Sequence, residues 1–243
     1  MLVDVHCHLD SQEFEVDRDL VIKECEIVIV NAGVDPRSNL RTLELARTHR
    51  NVVPALGFHP EFIAREEELS IALSQIRDHP GPVSEVGLDF YWVKEAEFRR
   101  KQMYFLEEVM HVAEEKGNPV ILHVRGGMEE LIRVIPSYSV RFAVHAFEGS
   151  PKTAERIVEL GGYLSFPPVV VRDQGRRRIM REVPLDRILT ETDSPYLGPG
   201  KGVRNRPCNV RLVLKTLAEE KGINEHEAEE AVFSNFKRLM NWK

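Results

Sequence analysis

The chain has 243 residues, 42% apolar and 30% charged, with a formal net charge of -6 at pH 7. That is long enough to bury a substantial core and fits one large domain over residues 1–243, since α/β barrels of this size are routinely single units. The acidic balance excludes a protein that coats nucleic acid through a general positive field, while a local basic mouth remains open.

No run of about 18 apolar residues occurs, so no membrane span is expected, and an apolar strand starting at Leu2 leaves no room for an export signal. A cytoplasmic protein is expected. Cys7, Cys25 and Cys208 lie far apart, are odd in number and show no CxxC spacing. Neither a disulfide framework nor a cysteine zinc site is therefore expected, and Cys7 should point into packing.

The first apolar run, residues 2–5, extends into His6-Cys7-His8. Alternate residues on a strand share a face, so His6 and His8 present their imidazoles together, about 6.6 Å apart at Cα and close enough to share one ion. Further β-rich runs at 27–30, 52–56, 83–86, 120–122, 142–144, 162–165 and 187–189 alternate with helical patterns such as 37–48, 66–78, 95–116 and 153–160. Strand candidates interleaved with helices in this way are the sequence appearance of an α/β chain folded as a (β/α)8 TIM-type barrel. A doubly wound sheet is the alternative, although no GxGxxG follows the first strand to suggest a dinucleotide-binding version. The connection 194–209, with three Gly and three Pro, is too long for a plain barrel loop and reads as functional. Residues 224–240 read as a C-terminal closing helix, with Asn224 as N-cap, Glu227 at its third position and Ala228, Val232, Phe236 and Leu239 along one face.

Ligand-type residues recur where these strands end. His59 follows the third, Glu85 lies in the fourth, which ends in Ser84-Glu85-Val86-Gly87-Leu88-Asp89, His123 and His145 close the fifth and sixth, and Asp193 follows the eighth. Each alone has an ordinary reading, as a capped turn or a satisfied buried histidine. Together with His6 and His8 they would converge on one mouth of a barrel, where catalytic residues of that fold sit. Four histidines and two carboxylates suffice for two ions about 3.5 to 4 Å apart, with one carboxylate bridging and a water between them. That is a hydrolase arrangement. Histidine-rich ligation favours Zn, Mn or a similar ion, whereas a pure Mg site would use mostly oxygen. His49, His79, His111 and His226 fall in helices or their ends and need no role.

Arg125, Lys201, Arg204 and Arg206 fall in mouth loops, where they could pair with phosphates and position a strand. Arg172, Arg176, Arg177, Arg178 and Arg181 read as the solvated face of a helix. Phe90, Tyr91 and Trp92 could stack on an unpaired base or simply pack the loop.

The runs His6-Cys7-His8-Leu9-Asp10, Gly57-Phe58-His59-Pro60, Glu85-Val86-Gly87-Leu88-Asp89-Phe90, His123-Val124-Arg125, His145-Ala146-Phe147-Glu148-Gly149 and Glu191-Thr192-Asp193-Ser194-Pro195, with Gln102 in a following helix, together resemble the TatD-related deoxyribonucleases. These are metal-dependent hydrolases of the amidohydrolase type, and the resemblance runs nearly end to end. It implies a TIM-type barrel with two divalent ions (Zn, Mn or Mg), in which His6, His8 and Asp193 hold one metal, His123 and His145 the other, and Glu85 bridges them. It also implies that Asp193 activates the water and that His59 faces the substrate phosphate; Arg125 and Arg204, from their place in the mouth loops, are expected as further substrate contacts.

Two departures stand out. Glu61 follows the His-Pro turn where the family usually has another His, and the loop after strand eight reads Arg204-Asn205-Arg206-Pro207 where the family usually has Glu in the third place. The bridging Lys of other amidohydrolases has no counterpart, since Glu85 stands there. The expected activity is hydrolysis of DNA phosphodiesters in single strands or at 3′ ends, with no membrane partner. A hydrolase of another ester or amide on the same site is the alternative, and a non-catalytic metal-stabilised binding protein is a third reading.

Overall fold

Runs rich in β-branched residues become strands that are covered on both faces, as parallel sheets require. In the computed structural model, which describes residues 1–242, every residue of β1 (Leu2–Cys7), β2 (Ile27–Ala32) and β4 (Val83–Asp89) is buried. The other strands are β3 (Val52–Ala55), β5 (Val120–Arg125), β6 (Phe142–Val144), β7 (Tyr163–Phe166) and β8 (Ile188–Thr190). All pair in parallel, in the order β1-β2-β3 and β4-β5-β6-β7-β8. A parallel bridge between Leu56 and Val83 joins the two sets. β8 reaches β1 through Thr190 Oγ1 donating to the Val3 carbonyl (2.6 Å) and Asp193 N donating to the His6 carbonyl (2.8 Å). The architecture is the (β/α)8 TIM-type barrel that the strand and helix alternation predicts.

Helices cover the outside: α1 (Arg18–Lys23), α2 (Pro36–Thr48), α3 (Glu66–Asp78), α4 (Ala96–Lys116), α5 (Met128–Val134), α6 (Pro151–Glu159), α7 (Gln174–Glu182), α8 (Val210–Lys221) and α9 (Glu225–Met240). α9 starts with the expected capping box, Asn224 accepting from Glu227 N (2.9 Å) while Glu227 accepts from Asn224 N (3.0 Å). Its Phe236 and Leu239 pack with Val3, Val5, Ile121 and Leu189, so the closing helix shares an apolar cluster with the strands. No described helix is long and apolar enough to cross a membrane.

Two expectations are corrected. Cys25 and Cys208 form a disulfide, 183 residues apart in sequence and 6.0 Å apart at Cα. Linear spacing carries no information about that pairing, because barrel closure is what brings the loop after β8 beside the start of β2. Cys7 is free and buried, as expected. The arginines of α7 are not all a solvated face: Arg176 is mostly buried and bonds Asp173 and Glu148 (3.1 Å), while Arg177 bonds Glu219 and Glu220 at 2.9 and 2.6 Å.

Candidate metal centre

Two glycines let β4 press close enough for Glu85 to reach the centre. A Cβ at Gly57 would lie 2.0 Å from the Glu85 nitrogen, and one at Gly87, where φ is 148°, would lie 1.9 Å from the His123 carbonyl oxygen. Only glycine fits at either point. On β5 and β6 strand parity aims the histidines, for Ile121 and Ala143 belong to the inner apolar cluster and His123 and His145 come two residues later. On β1 it is Val3 and Val5 that belong to that cluster. A register shift between Asp4 and Cys7 changes the parity and turns His6 and His8 inward.

The donor atoms sort around the two oxygens of Glu85. Its Oε2 lies 3.5 Å from His8 Nε2 and 3.7 Å from His6 Nε2. Its Oε1 lies 2.8 Å from His123 Nδ1, 3.0 Å from His145 Nε2 and 3.4 Å from His59 Nε2. Asp193 Oδ1 joins the first set, 3.2 Å from His8 Nε2 and 3.6 Å from His6 Nε2. Ligands held about 2.0 to 2.1 Å from a tetrahedral ion are about 3.3 Å apart along each edge, so these separations suit shared coordination. Three overlapping groups, His6 with His8 and Asp193, His6 with Glu85 and His145, and His59 with Glu85 and His123, each bring ligand-type atoms within 4.8 Å of one another.

Outer contacts determine which ring nitrogen is available. His8 Nδ1 faces the Ala32 carbonyl (3.0 Å) and His123 Nε2 faces the Asp89 carboxylate (3.0 Å), so each proton belongs there and a lone pair turns toward Glu85. His6 Nε2 is buried with no hydrogen-bond partner among the described residues, which is what a metal-facing nitrogen requires. His59 differs. Its Nδ1 accepts from Glu61 N (3.2 Å), so its proton sits on Nε2, leaving a donor aimed at the centre in place of a ligand lone pair. These residues fit a divalent metal centre.

The field at the centre is strongly negative. Burial works against charge on His8 and His123, yet Asp193, Glu85 and Asp89 push both up to about 10. Burial, with His145 close by, takes His6 down to about 4. Burial would raise Glu85, but His59, His145 and His123 hold it well below the usual carboxylate range; His8 similarly keeps Asp193 low. A cluster that draws protons onto two imidazoles draws a divalent cation by the same attraction, and binding one must release those protons. Behind it, burial and Asp193 push Glu191 well up, and burial pushes Asp4 up to about 8, so protons can remain on carboxyls tied to Ser165, Ala146 N and Thr192.

A cavity of about 680 Å³ opens over this cluster, its wall including Trp92, Arg125, Phe62 and Tyr196. Arg125 stands at its mouth, 3.3 Å from Glu148 and stacked 3.9 Å over the Tyr91 ring. Arg204 is a correction. Its guanidinium is turned to Asp17 (2.9 Å) and the Glu13 carbonyl (2.6 Å) and does not line the cavity, because an acid on the neighbouring segment engages its fork. Arg206 pairs with Glu24 at 3.1 Å. Sequence reasoning passed over the double role of Asp89: Oδ2 holds His123, while Oδ1 accepts from Tyr91 N (2.9 Å) and Trp92 N (2.8 Å). Strand parity was the available signal, since positions 85, 87 and 89 alternate on one face.

A parallel barrel whose strand ends aim imidazoles and carboxylates at one point is the framework of a metal-dependent hydrolase. The family model "TatD related DNase" matches residues 3–241, and the chain belongs to that family of metal-dependent hydrolases acting on ester bonds. It is 30% identical to an uncharacterised metal-dependent hydrolase of Methanocaldococcus jannaschii, covering 98% of both chains. It is also 30% identical to the deoxyribonuclease TATDN3 of Homo sapiens, covering 98% of this chain and 94% of that one. Among solved structures, the TatD homologue YJJV of Escherichia coli superposes with a TM-score of 0.89 at 26% identity, over 100% of this chain and 98% of that one.

Proposed function

We propose that the protein is a two-metal deoxyribonuclease that hydrolyses phosphodiesters in single-stranded DNA or at 3′ ends. The observation that carries this reading is the division of donors between the two oxygens of Glu85, with His6 and His8 on Oε2 and His123 and His145 on Oε1. In it, His6, His8 and Asp193 would hold one ion (Zn, Mn or Mg) and His123 and His145 the second, with one oxygen of Glu85 offered to each. Ions bound there lower the pKa of water and neutralise charge developing on a phosphoryl oxygen.

The chain's own groups do the rest. Asp193, whose Oδ1 stands beside His6 and His8 on the Oε2 side of Glu85, takes the proton from the attacking water. His59 donates from Nε2 to a phosphoryl oxygen, its ring set by the Glu61 amide. Arg125, at the mouth, holds a neighbouring phosphate. Cleavage of end-labelled single-stranded DNA with Mn or Zn, abolished by chelator and restored by metal, is the expected result. Hydrolysis of carboxylic esters or amides with no release of nucleotides would instead establish the other hydrolase reading.

A further inference from the structure

Large aromatic side chains in this protein are mostly buried or half-buried, but one group of them is not. Among the described residues the strongly exposed aromatics are Tyr91 (49%), Trp92 (59%), Tyr104, Tyr196 (53%) and Trp242. Trp92 and Tyr196 line the cavity over the candidate metal centre, and Tyr91 packs edge-on against Trp92 with ring centroids 4.8 Å apart. Three of the five thus stand at one rim, where exposure of apolar rings is unfavourable unless something planar covers them.

The rim is built to hold its shape. Asp89 accepts the amides of Tyr91 and Trp92 through one oxygen and fixes His123 through the other, so the aromatic turn and the metal-facing imidazole hang from one carboxylate. Arg125 stacks on Tyr91 and lies 5.6 Å from the Trp92 ring centre, braced by Glu148. Across the site, the Tyr196 ring is 6.0 Å from that of His8, and Asn205 holds its carbonyl at 2.7 Å. A flat group resting on Tyr196 therefore lies one ring away from His8, the relation of a nucleobase to its own phosphate across the sugar, and Trp92 lines the same cavity.

We propose that Trp92 and Tyr196 form a rest for one unpaired nucleobase and thereby set the enzyme's preference for frayed or single-stranded ends. The proposal deepens the phosphodiesterase reading and rests on it. A base inside a duplex has both faces covered by its neighbours and cannot stack on protein, so only an unpaired or extruded base gains from the rest. Every base has a π-face, so the rest selects for strandedness and tolerates sequence. Phe90 is not part of it, being only partly exposed and covered by Arg99 at 4.8 Å.

The test has a binding arm and a cleavage arm. In a Trp242→Phe background Trp92 is the sole tryptophan, since the chain has two. Deoxyadenosine monophosphate should quench its emission and deoxyribose 5-phosphate should not; equal responses, or none to the nucleotide, overturn the assignment. In the cleavage arm, Trp92→Ala or Tyr196→Ala should reduce the kcat/KM preference for a strand with a normal terminal nucleotide over the same strand with an abasic one, by roughly 5- to 100-fold. Trp92→Phe should retain most of that preference. An unchanged preference in both alanine variants overturns the rest. If the parent enzyme cleaves no DNA at all, the phosphodiesterase reading fails, while the fluorescence arm still judges whether a base is held.

Discussion

Asp89→Asn is a change of one atom with a directional consequence. Asp89 Oδ1 accepts from two backbone amides, 2.9 and 2.8 Å away, and Oδ2 faces His123 Nε2 at 3.0 Å. Asparagine can keep its single oxygen on the two amides, which leaves its NH2 against His123 Nε2. Two donors cannot share that contact, so His123 must move its proton to Nδ1, the nitrogen that faces Glu85 and His145. A protonated Nδ1 is no ligand. The turn carrying Tyr91 and Trp92 keeps its hydrogen bonds, so the loss is confined to the His123 side of the centre. Lost outer-shell support of a metal-ligating histidine typically costs 10- to 100-fold in affinity, or about 1.4 to 2.8 kcal/mol, in line with one hydrogen bond to a charged group. Titration calorimetry with Zn or Mn should show one of two binding steps weakened by that factor while, in a Trp242→Phe background, Trp92 emission stays at its parent wavelength. Two binding steps with parent affinities would refute the tautomer argument.

Asp193→Asn should fold normally, because asparagine tolerates the left-handed backbone at this position (φ 53°), keep most of its metal, and lose roughly 10²- to 10⁴-fold in turnover. Turnover close to the parent rate would leave Asp193 a ligand at most. His145→Ala should lower bound metal from two ions per chain to about one, measured by elemental analysis after dialysis; two retained ions would remove His145 from the ligand set. Reducing the Cys25–Cys208 bond should lower stability by about 2 to 4 kcal/mol in denaturant, since it closes a long loop; an unchanged midpoint would mean the unfolded chain gains nothing from its release. Glu220, buried between Arg177 and Arg181, is held below its ordinary 4.5 by their guanidiniums against the effect of burial. Its contribution is present above that ordinary value and lost as pH falls through the lower folded one. Glu220→Gln should therefore melt below the parent at pH 7, with the gap closing in acid.

The barrel was readable because hydrophobic patterning and turn residues repeat through the chain. The candidate strand at 142–144 coincides with β6, and the helix pattern at 66–78 with α3. The histidines were readable as a set because strand ends of one barrel share a mouth. Their geometry was less so. Alternation puts His6 and His8 on one face, but it does not reveal the register shift that moves them to the face of Val3 and Val5. Sequence names a donor and not its partner, so it could not separate His59, whose proton is held on Nε2 by the Glu61 amide, from His123, whose proton is held away from the centre by Asp89. Pairings across long separations, such as Cys25 with Cys208, were beyond reach for the same reason.

Arg206, the residue that departs from the family's usual Glu, has a structural account that does not involve phosphate. It bonds Glu24, Arg204 two residues earlier bonds Asp17, and Cys208 two residues later is joined to Cys25. All three ties run from the loop after β8 to the segment around α1, which itself follows directly from the His6-Cys7-His8 strand. Asn205, buried among them, donates to the carbonyls of Thr192 and Tyr196 at 2.7 Å each. The charge reversal at 206 is thus complementary to an acid on α1's C-terminal side, and the loop's two arginines are committed to holding it down. What they hold is the backbone of Asp193 and Tyr196. In this chain the positive charge of the loop serves the position of the carboxylate and the aromatic rim, and Arg125 is left as the arginine on the cavity wall.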